Sequence, residues 1–383
     1  MKKNRNILFA AMLSAAVIMA AGCGQQAAES AEAGTAGTEA AGTSAAAPEA
    51  QTTEAAANTE TSENAETAAN ESAEADEETA YIDDTLLRVA SLKGPTTMGL
   101  VNMMAENEAE ALPFKAEFTM AAAADEITAK VASGDVDIAL VPANLASVLY
   151  NRTEGGVSVV DINTLGVLYG VTGDESIKSL SDLKGRTVYM TGQGSTPEYA
   201  VSYILAQNGL SDDVTLEFKS EATEVAALLS EDPSAIAILP QPFATVAMKQ
   251  NEALKEFLNL TDEWKKCADS GNSELVTGVT IVRNAFLREH EALVAEFVLE
   301  HQESALKANE DLDTTAELVA KYGIIEKAPI AKLALPKCNI VCITGAEMKD
   351  ALQGYLSVLF NAEPKSVGGA LPADDFYAFV EAD

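Results

Sequence analysis

Histidine, tryptophan and basic side chains are scarce in this chain of 383 residues. It has two His, one Trp and 25 Lys+Arg against 59 Asp+Glu, for a formal charge of −34. Two histidines leave little room for a His-rich metal centre or a Ser-His-Asp triad. So few positive charges exclude binding to nucleic-acid phosphates or anionic lipid headgroups by counterion release. No catalytic residue, cofactor or metal site is therefore expected. Long apolar runs are also wanting near the N-terminus: the uncharged stretch 7–21 is fifteen residues, short of the ~20 that a membrane-spanning helix needs.

What is present divides the charge into three parts. Lys2, Lys3 and Arg5 precede the apolar stretch, which ends Met19-Ala20-Ala21-Gly22-Cys23; a basic start, a short apolar run and small residues form an export signal. The end resembles a bacterial lipobox, which implies cleavage after residue 22 and diacylation of Cys23, with the membrane reached through this lipid anchor only. Residues 24–80 contain thirteen carboxylates, no Lys or Arg and no large apolar side chain. Such a segment cannot offset its chain entropy by burial, so 23–80 reads as a disordered, self-repelling tether. The remaining 81–383 keeps 22 basic and 46 acidic residues, a net −24, and is long enough for one large or two medium domains.

In that part the expected order is strand 86–92, turn 93–97, helix 98–109 with Thr96 or Thr97 as N-cap, strand 113–120, helix 124–133 and buried strand 136–141 stopped by Pro142. The pattern begins again with strand 186–190, a Gly-rich turn at 191–196, helix 197–208, strand 214–219, helix 223–230 and strand 235–239 stopped by Pro240. Further strands are expected at 165–171 and 275–282, with chain crossings near 167–172 and 276–281, and everything from Phe286 onward reads as helical. The fold class is α/β, with two largely parallel sheets covered by helices. The expected lobes are 81–168 with a return at 279–383, and 169–278. Facing sheets of this kind gather strand C-terminal ends around one cleft.

Five segments in this order carry a resemblance: Lys93-Gly94-Pro95-Thr96, Gly134-Asp135-Val136-Asp137-Ile138-Ala139, the run 181–188, the run 192–199 and Ile238-Leu239-Pro240-Gln241-Pro242-Phe243. Together they resemble extracytoplasmic solute-binding proteins of ABC importers, and among these the group for nitrate, sulfonate, taurine and thiamine-pyrimidine precursors. The resemblance implies a type II periplasmic-binding fold with a hinge, a binding protein rather than an enzyme, a small-molecule solute, and permease and ATPase subunits as partners; a monomer is expected. An enzyme on the same fold and a surface sensor or adhesion lipoprotein are the alternatives.

Four loops supply the candidate ligand contacts. Gly94, Pro95, Thr96 and Thr97 open the first helix, where free N–H groups suit a polar ligand atom. Gly192, Gln193, Gly194, Ser195 and Thr196 are the counterpart; Glu198 in the next turn either complements the helix dipole or pairs with a cationic solute. Pro142 and Asn144, and Gln241 and Phe243, follow the buried strands, while Met120 offers an apolar wall. Tyr169, Tyr199 and Trp264 are candidates for stacking or for core packing. Cys267, Cys338 and Cys342 read as structural thiols with a single disulfide available to them. Cys338 and Cys342 have no His nearby in sequence, and His290 and His301 are expected on a solvated helix face.

Overall fold

The computed structural model describes residues 82–267 and 273–380. The export signal, Cys23 and the tether lie outside the described residues. The chain runs β1 (Leu86–Leu92), α1 (Pro95–Met98), α2 (Val101–Glu108), β2 (Lys115–Ala121), α3 (Ala124–Ser133), β3 (Ile138–Pro142), α4 (Ala143–Arg152) and β4 (Val157–Leu165). It continues with β5 (Leu168–Thr172), β6 (Thr187–Met190), α5 (Thr196–Gln207), β7 (Thr215–Phe218), α6 (Ala222–Glu231), β8 (Ile236–Pro240), α7 (Phe243–Gln250), β9 (Lys255–Asn259) and α8 (Leu260–Cys267). The last part holds β10 (Val276–Arg283), α9 (Asn284–Glu289), α10 (Glu291–Glu310), α11 (Leu312–Lys321), α12 (Ala328–Ala334), β11 (Ile340–Ile343) and α13 (Gly345–Ala362).

These strands build two mixed sheets, ordered β11-β4-β10-β3-β1-β2 and β7-β6-β8-β5-β9. The repetition visible in the sequence is real at the level of topology. In the first sheet β2, β1 and β3 are parallel, and in the second β7, β6 and β8 are parallel. Each trio is then flanked by an antiparallel strand, β10 beside β3 and β5 beside β8. The unbroken apolar runs of β3 and β8 follow from that central position, since both faces are covered.

Several sequence expectations need correcting. The 98–109 helix is two helices, α1 and α2. Neither Thr96 nor Thr97 caps it: Gly94, at φ 142°, holds the N-cap position without a side-chain bond. The region after Phe286 is not wholly helical, because β11 joins the edge of the first sheet beside β4. Strand β4 itself escaped the periodicity, because polar Asp161, Asn163 and Thr164 interrupt its apolar run although all three are buried. Cys338 and Cys342 form no disulfide, and burial pushes the Cys338 thiol up to about 12.

The chain passes from the first sheet to the second through Gly166 and Val167. A Cβ at Gly166 would lie 2.2 Å from Thr261 Oγ1 and 2.8 Å from Leu275 Cδ2, so only glycine fits this crossing. The C-terminal helix α13 packs on β4 and β10 and also on α5 of the other half. There Trp264, fully buried, lies between Tyr203 at 4.8 Å and Tyr355 at 5.5 Å. One apolar cluster thus draws on both halves. The first sheet is further pinned by Asp137, 1% exposed, which accepts from Arg88 Nε (2.8 Å) and Nη2 (2.6 Å) and from Arg283 Nη2 (2.6 Å). Burial alone would raise its pKa, but the Arg88 and Arg283 bonds outweigh that and hold the carboxyl below its usual range. Among the described residues, no helix is long and apolar enough to cross a membrane.

Candidate functional site between the two sheets

A cavity of ≈ 360 Å³ opens where the C-terminal ends of β3 and β8 face each other, within the range of small-molecule sites. The first half contributes Asp125, Pro142, Asn144 and Leu145. The second contributes Leu168, Pro240 and the loop Gly194–Pro197, and Val167, Leu275 and Thr277 come from the two crossings.

The loop before α5 reaches the cavity because of its glycines. Gly192, at φ 86°, has Pro197 Cγ only 2.7 Å from where a Cβ would stand, so the chain folds tightly onto its own helix start. Ser195 holds the N-cap position, with its hydroxyl donating to the Gly192 carbonyl at 2.8 Å. Thr196 Oγ1 donates across the cleft to Asn144 Oδ1 at 3.0 Å, while Asn144 Nδ2 donates to the Ser366 carbonyl. That bond bridges the halves directly.

Pro142, Asn144, Gly194, Ser195 and Thr196 therefore meet at one cavity. The other candidates lie elsewhere. Thr96 and Thr97 are buried, and both hydroxyls donate to the Leu92 carbonyl, at 2.6 and 2.7 Å; the Thr97 and Ser91 hydroxyls are also hydrogen-bonded, at 2.8 Å. Gly94 and Pro95 are half-buried in the same turn. Glu198 accepts from the backbone N–H of Gly194, and Gln193 is exposed and Gly192 half-buried in that turn. Met120 packs into the apolar cluster of Met98 and Leu335. Phe243 lines a second cavity, ≈ 630 Å³, between α6, α7 and residues 324–330. Gln241 is buried; its Oε1 accepts from Thr245 Oγ1 at 2.8 Å, and its Nε2 has no protein partner. Tyr169 donates to the Lys337 carbonyl at 2.9 Å, and burial, more than the nearby Glu256, raises its pKa.

Asp125, Leu145, Val167, Leu168, Leu275 and Thr277 were missed as site residues by motif reasoning. For Val167, Leu168, Leu275 and Thr277 the signal existed: they sit at or beside the two crossings that the sequence already marked. Asp125, in the first turn of α3, reads from sequence as ordinary dipole complement.

With this geometry in place, the chain can be compared with known proteins. Residues 98–269 match the family of periplasmic substrate-binding proteins of phosphonate ABC transporters. In sequence and in fold, the chain resembles the substrate-binding proteins of ABC importers. An ABC transporter protein from Parabacteroides distasonis is 23% identical, with a TM-score of 0.66 over 77% of this chain and 99% of that one. The aliphatic sulphonate binding protein SsuA of Escherichia coli is 16% identical, with a TM-score of 0.61 over 74% of this chain and 90% of its own. The alkanesulfonate-binding SsuA of Xanthomonas axonopodis, bound to MOPS, is 15% identical, with a TM-score of 0.56 over 76% and 96%. No curated protein matches. The fold is the type II periplasmic-binding fold, as expected. The matched family and the solved sulfonate-binding proteins are substrate-binding components of ABC transporters; for this chain the likeness to the solved structures establishes the fold.

Proposed function

We propose that residues 81–168 with 279–383 form one lobe and 169–278 the other, and that they close on a small planar solute that is neutral or carries an amine. The observation that carries this reading is the cavity lining. Its side chains are mainly Leu, Val and Pro with Asn144, Ser195, Thr196 and Thr277 as hydrogen-bonding groups, and Asp125 is the one ionisable side chain among the described lining residues. An oxyanion would meet no Lys, Arg or His there, whereas an amine has Asp125 as a partner. A thiamine-pyrimidine precursor has this chemistry. Binding shifts the lobes toward closure through contacts made only when both halves touch the solute, with the Asn144–Thr196 bond as part of the closed arrangement. A monomer anchored by lipid on Cys23 then presents the solute to permease and ATPase subunits at the outer face of the membrane.

A sulfonate or phosphonate is the second reading. The family match over 98–269, the two sulfonate-binding relatives and the free N–H groups at the start of α5 support it. Titration calorimetry with an aminopyrimidine and an alkanesulfonate separates the two. Pyrimidine binding that weakens about tenfold in Asp125→Asn, the loss of ~1.4 kcal/mol, is the expected result. Sulfonate binding that is indifferent to Asp125 overturns the amine reading and leaves the cleft in place.

A further inference from the structure

Away from the cleft, Asp161 on β4, His301 on α10 and Cys342 on β11 converge so that one ligand atom of each lies within 4.8 Å of the others. The sequence separates these residues by 140 and 41 positions, so only the fold brings them together. His301 is not on a solvated face, as its helix position had suggested: it and Asp161 are both fully buried. Asp161 Oδ2 lies 3.0 Å from His301 Nδ1, and Cys342 Sγ lies 4.0 Å from the same nitrogen. An imidazole nitrogen carries one proton or one lone pair. It can satisfy the carboxylate or the sulfur by hydrogen bonding, but a cation placed among the three engages all of them.

We propose that Asp161, His301 and Cys342 form a binding site for a borderline divalent transition-metal ion, with zinc as the natural occupant. Carboxylate, imidazole and thiolate are the ligand types that zinc takes, at about 2.0–2.3 Å each. Tetrahedral bonds of that length separate ligand atoms by roughly 3.3–3.6 Å, and the 3.0 and 4.0 Å separations bracket this range. The charges also balance. One carboxylate and one thiolate neutralise a dication, leaving a neutral centre beside the Phe297 ring, 5.8 Å from the imidazole. Thr280 Oγ1 donates to Asp161 Oδ1 at 2.7 Å and accepts from Asn163 Nδ2 at 3.2 Å, which turns Oδ2 toward the site.

An independent feature shows what such an ion would do. Strand β11 meets β4 only at Ile340–Thr164 and Ile343–Ile162, with a register irregularity between them, and Cys342 sits within that irregular stretch. A metal there staples a weakly laddered edge strand to β4 and α10. Cys342 is half-buried at the sheet edge, whereas Asp161 and His301 are fully buried. Because zinc takes the thiolate form of cysteine, binding releases the Cys342 proton to solvent.

The test uses the full chain, stripped with chelator and titrated with Co²⁺. The expected result is one Co²⁺ per chain with a thiolate-to-cobalt charge-transfer band. The band vanishes in Cys342→Ser, survives in Cys267→Ser and Cys338→Ser, and is displaced by Zn²⁺. Zn²⁺ should raise the melting temperature of the native chain and not that of Cys342→Ser. Because Cys342 is half-buried, its serine variant keeps the fold, which circular dichroism checks, whereas His301 variants lose a core residue. Absence of a stoichiometric band, or a band that persists in Cys342→Ser, overturns the site and reduces the trio to a buried Asp–His pair beside a thiol.

Discussion

The two halves repeat one strand–loop–helix unit, yet they hold it in different ways. In the first half the loop after β1 turns its hydroxyls inward, with Thr96 and Thr97 bonded to the Leu92 carbonyl. In the second, the loop after β6 turns outward and delivers Thr196 to Asn144 across the cleft. The charges follow the same division. Arg88 and Arg283 clamp the buried Asp137 in the first sheet, whereas Arg186 at the start of the second reaches Asp174 at 3.8 Å near the surface. The same strand–loop–helix unit thus yields one half fastened by internal polar bonds and another whose polar groups remain at the cleft. Motif position locates a loop at the right end of a sheet; hydrogen-bond partners decide whether it faces the solute.

The largest effect expected from breaking this contrast is at Asp137. Asp137→Asn leaves two guanidinium groups without their shared anion and should cost about 3 kcal/mol in urea unfolding, the lower end for a broken buried pair because both arginines are partly exposed. Arg186→Met should leave the urea midpoint unchanged, as is usual for a surface pair. The pH dependence has a definite sign. The Asp137 pKa is lowered by folding, so its contribution is whole above about pH 4, the unfolded carboxylate value. It is lost as pH falls below that toward the folded value. Asp83, lowered to about 2 chiefly by the Thr85 hydroxyl and then by the Thr85 N–H and His290, adds to the same acid limb. An acid-unfolding curve for Asp137→Asn that matches the native one would remove the clamp from the account.

A middle-sized effect distinguishes the two loops. Thr97→Val strands Ser91 Oγ and one bond to the Leu92 carbonyl in a fully buried place, and should destabilise by about 1–3 kcal/mol without altering solute affinity in folded protein. Ser195→Ala removes a half-buried bond to Gly192 and should cost about 0.5 kcal/mol, while changing affinity. Unfolding and calorimetry on the two variants exchange places if the loops have the opposite roles.

Much of this architecture was legible beforehand because apolar runs ending in Pro142 and Pro240 mark central strands, and their repetition marks two similar sheets. The concealed parts have polar interiors or long-range partners. Strand β4 was hidden by Asp161, Asn163 and Thr164, which are satisfied only once β10 and α10 are in place, for example by Thr280 and His301. Asn144 and Thr196 were recognised as candidates, but their direct bond spans 52 residues and leaves no local trace. Threonine at a helix start suggests a cap in either loop, and nothing within the loop distinguishes an inward Thr97 from a cleft-facing Thr196.

The smallest effect expected is at Glu198, where a dipole role and a ligand role lead to different numbers. Its carboxylate accepts from the Gly194 N–H in the turn that precedes α5, so it completes the loop rather than lining the cavity. Glu198→Gln keeps an acceptor oxygen at that place and loses only the charge near a helix N-terminus, worth about 0.3–1 kcal/mol of stability at low salt and less as salt screens it. Affinity for an aminopyrimidine should move by less than twofold, against about tenfold for Asp125→Asn. Should calorimetry instead give Glu198→Gln the larger loss, the solute's positive end lies against the α5 loop, and the two halves exchange their parts in recognition.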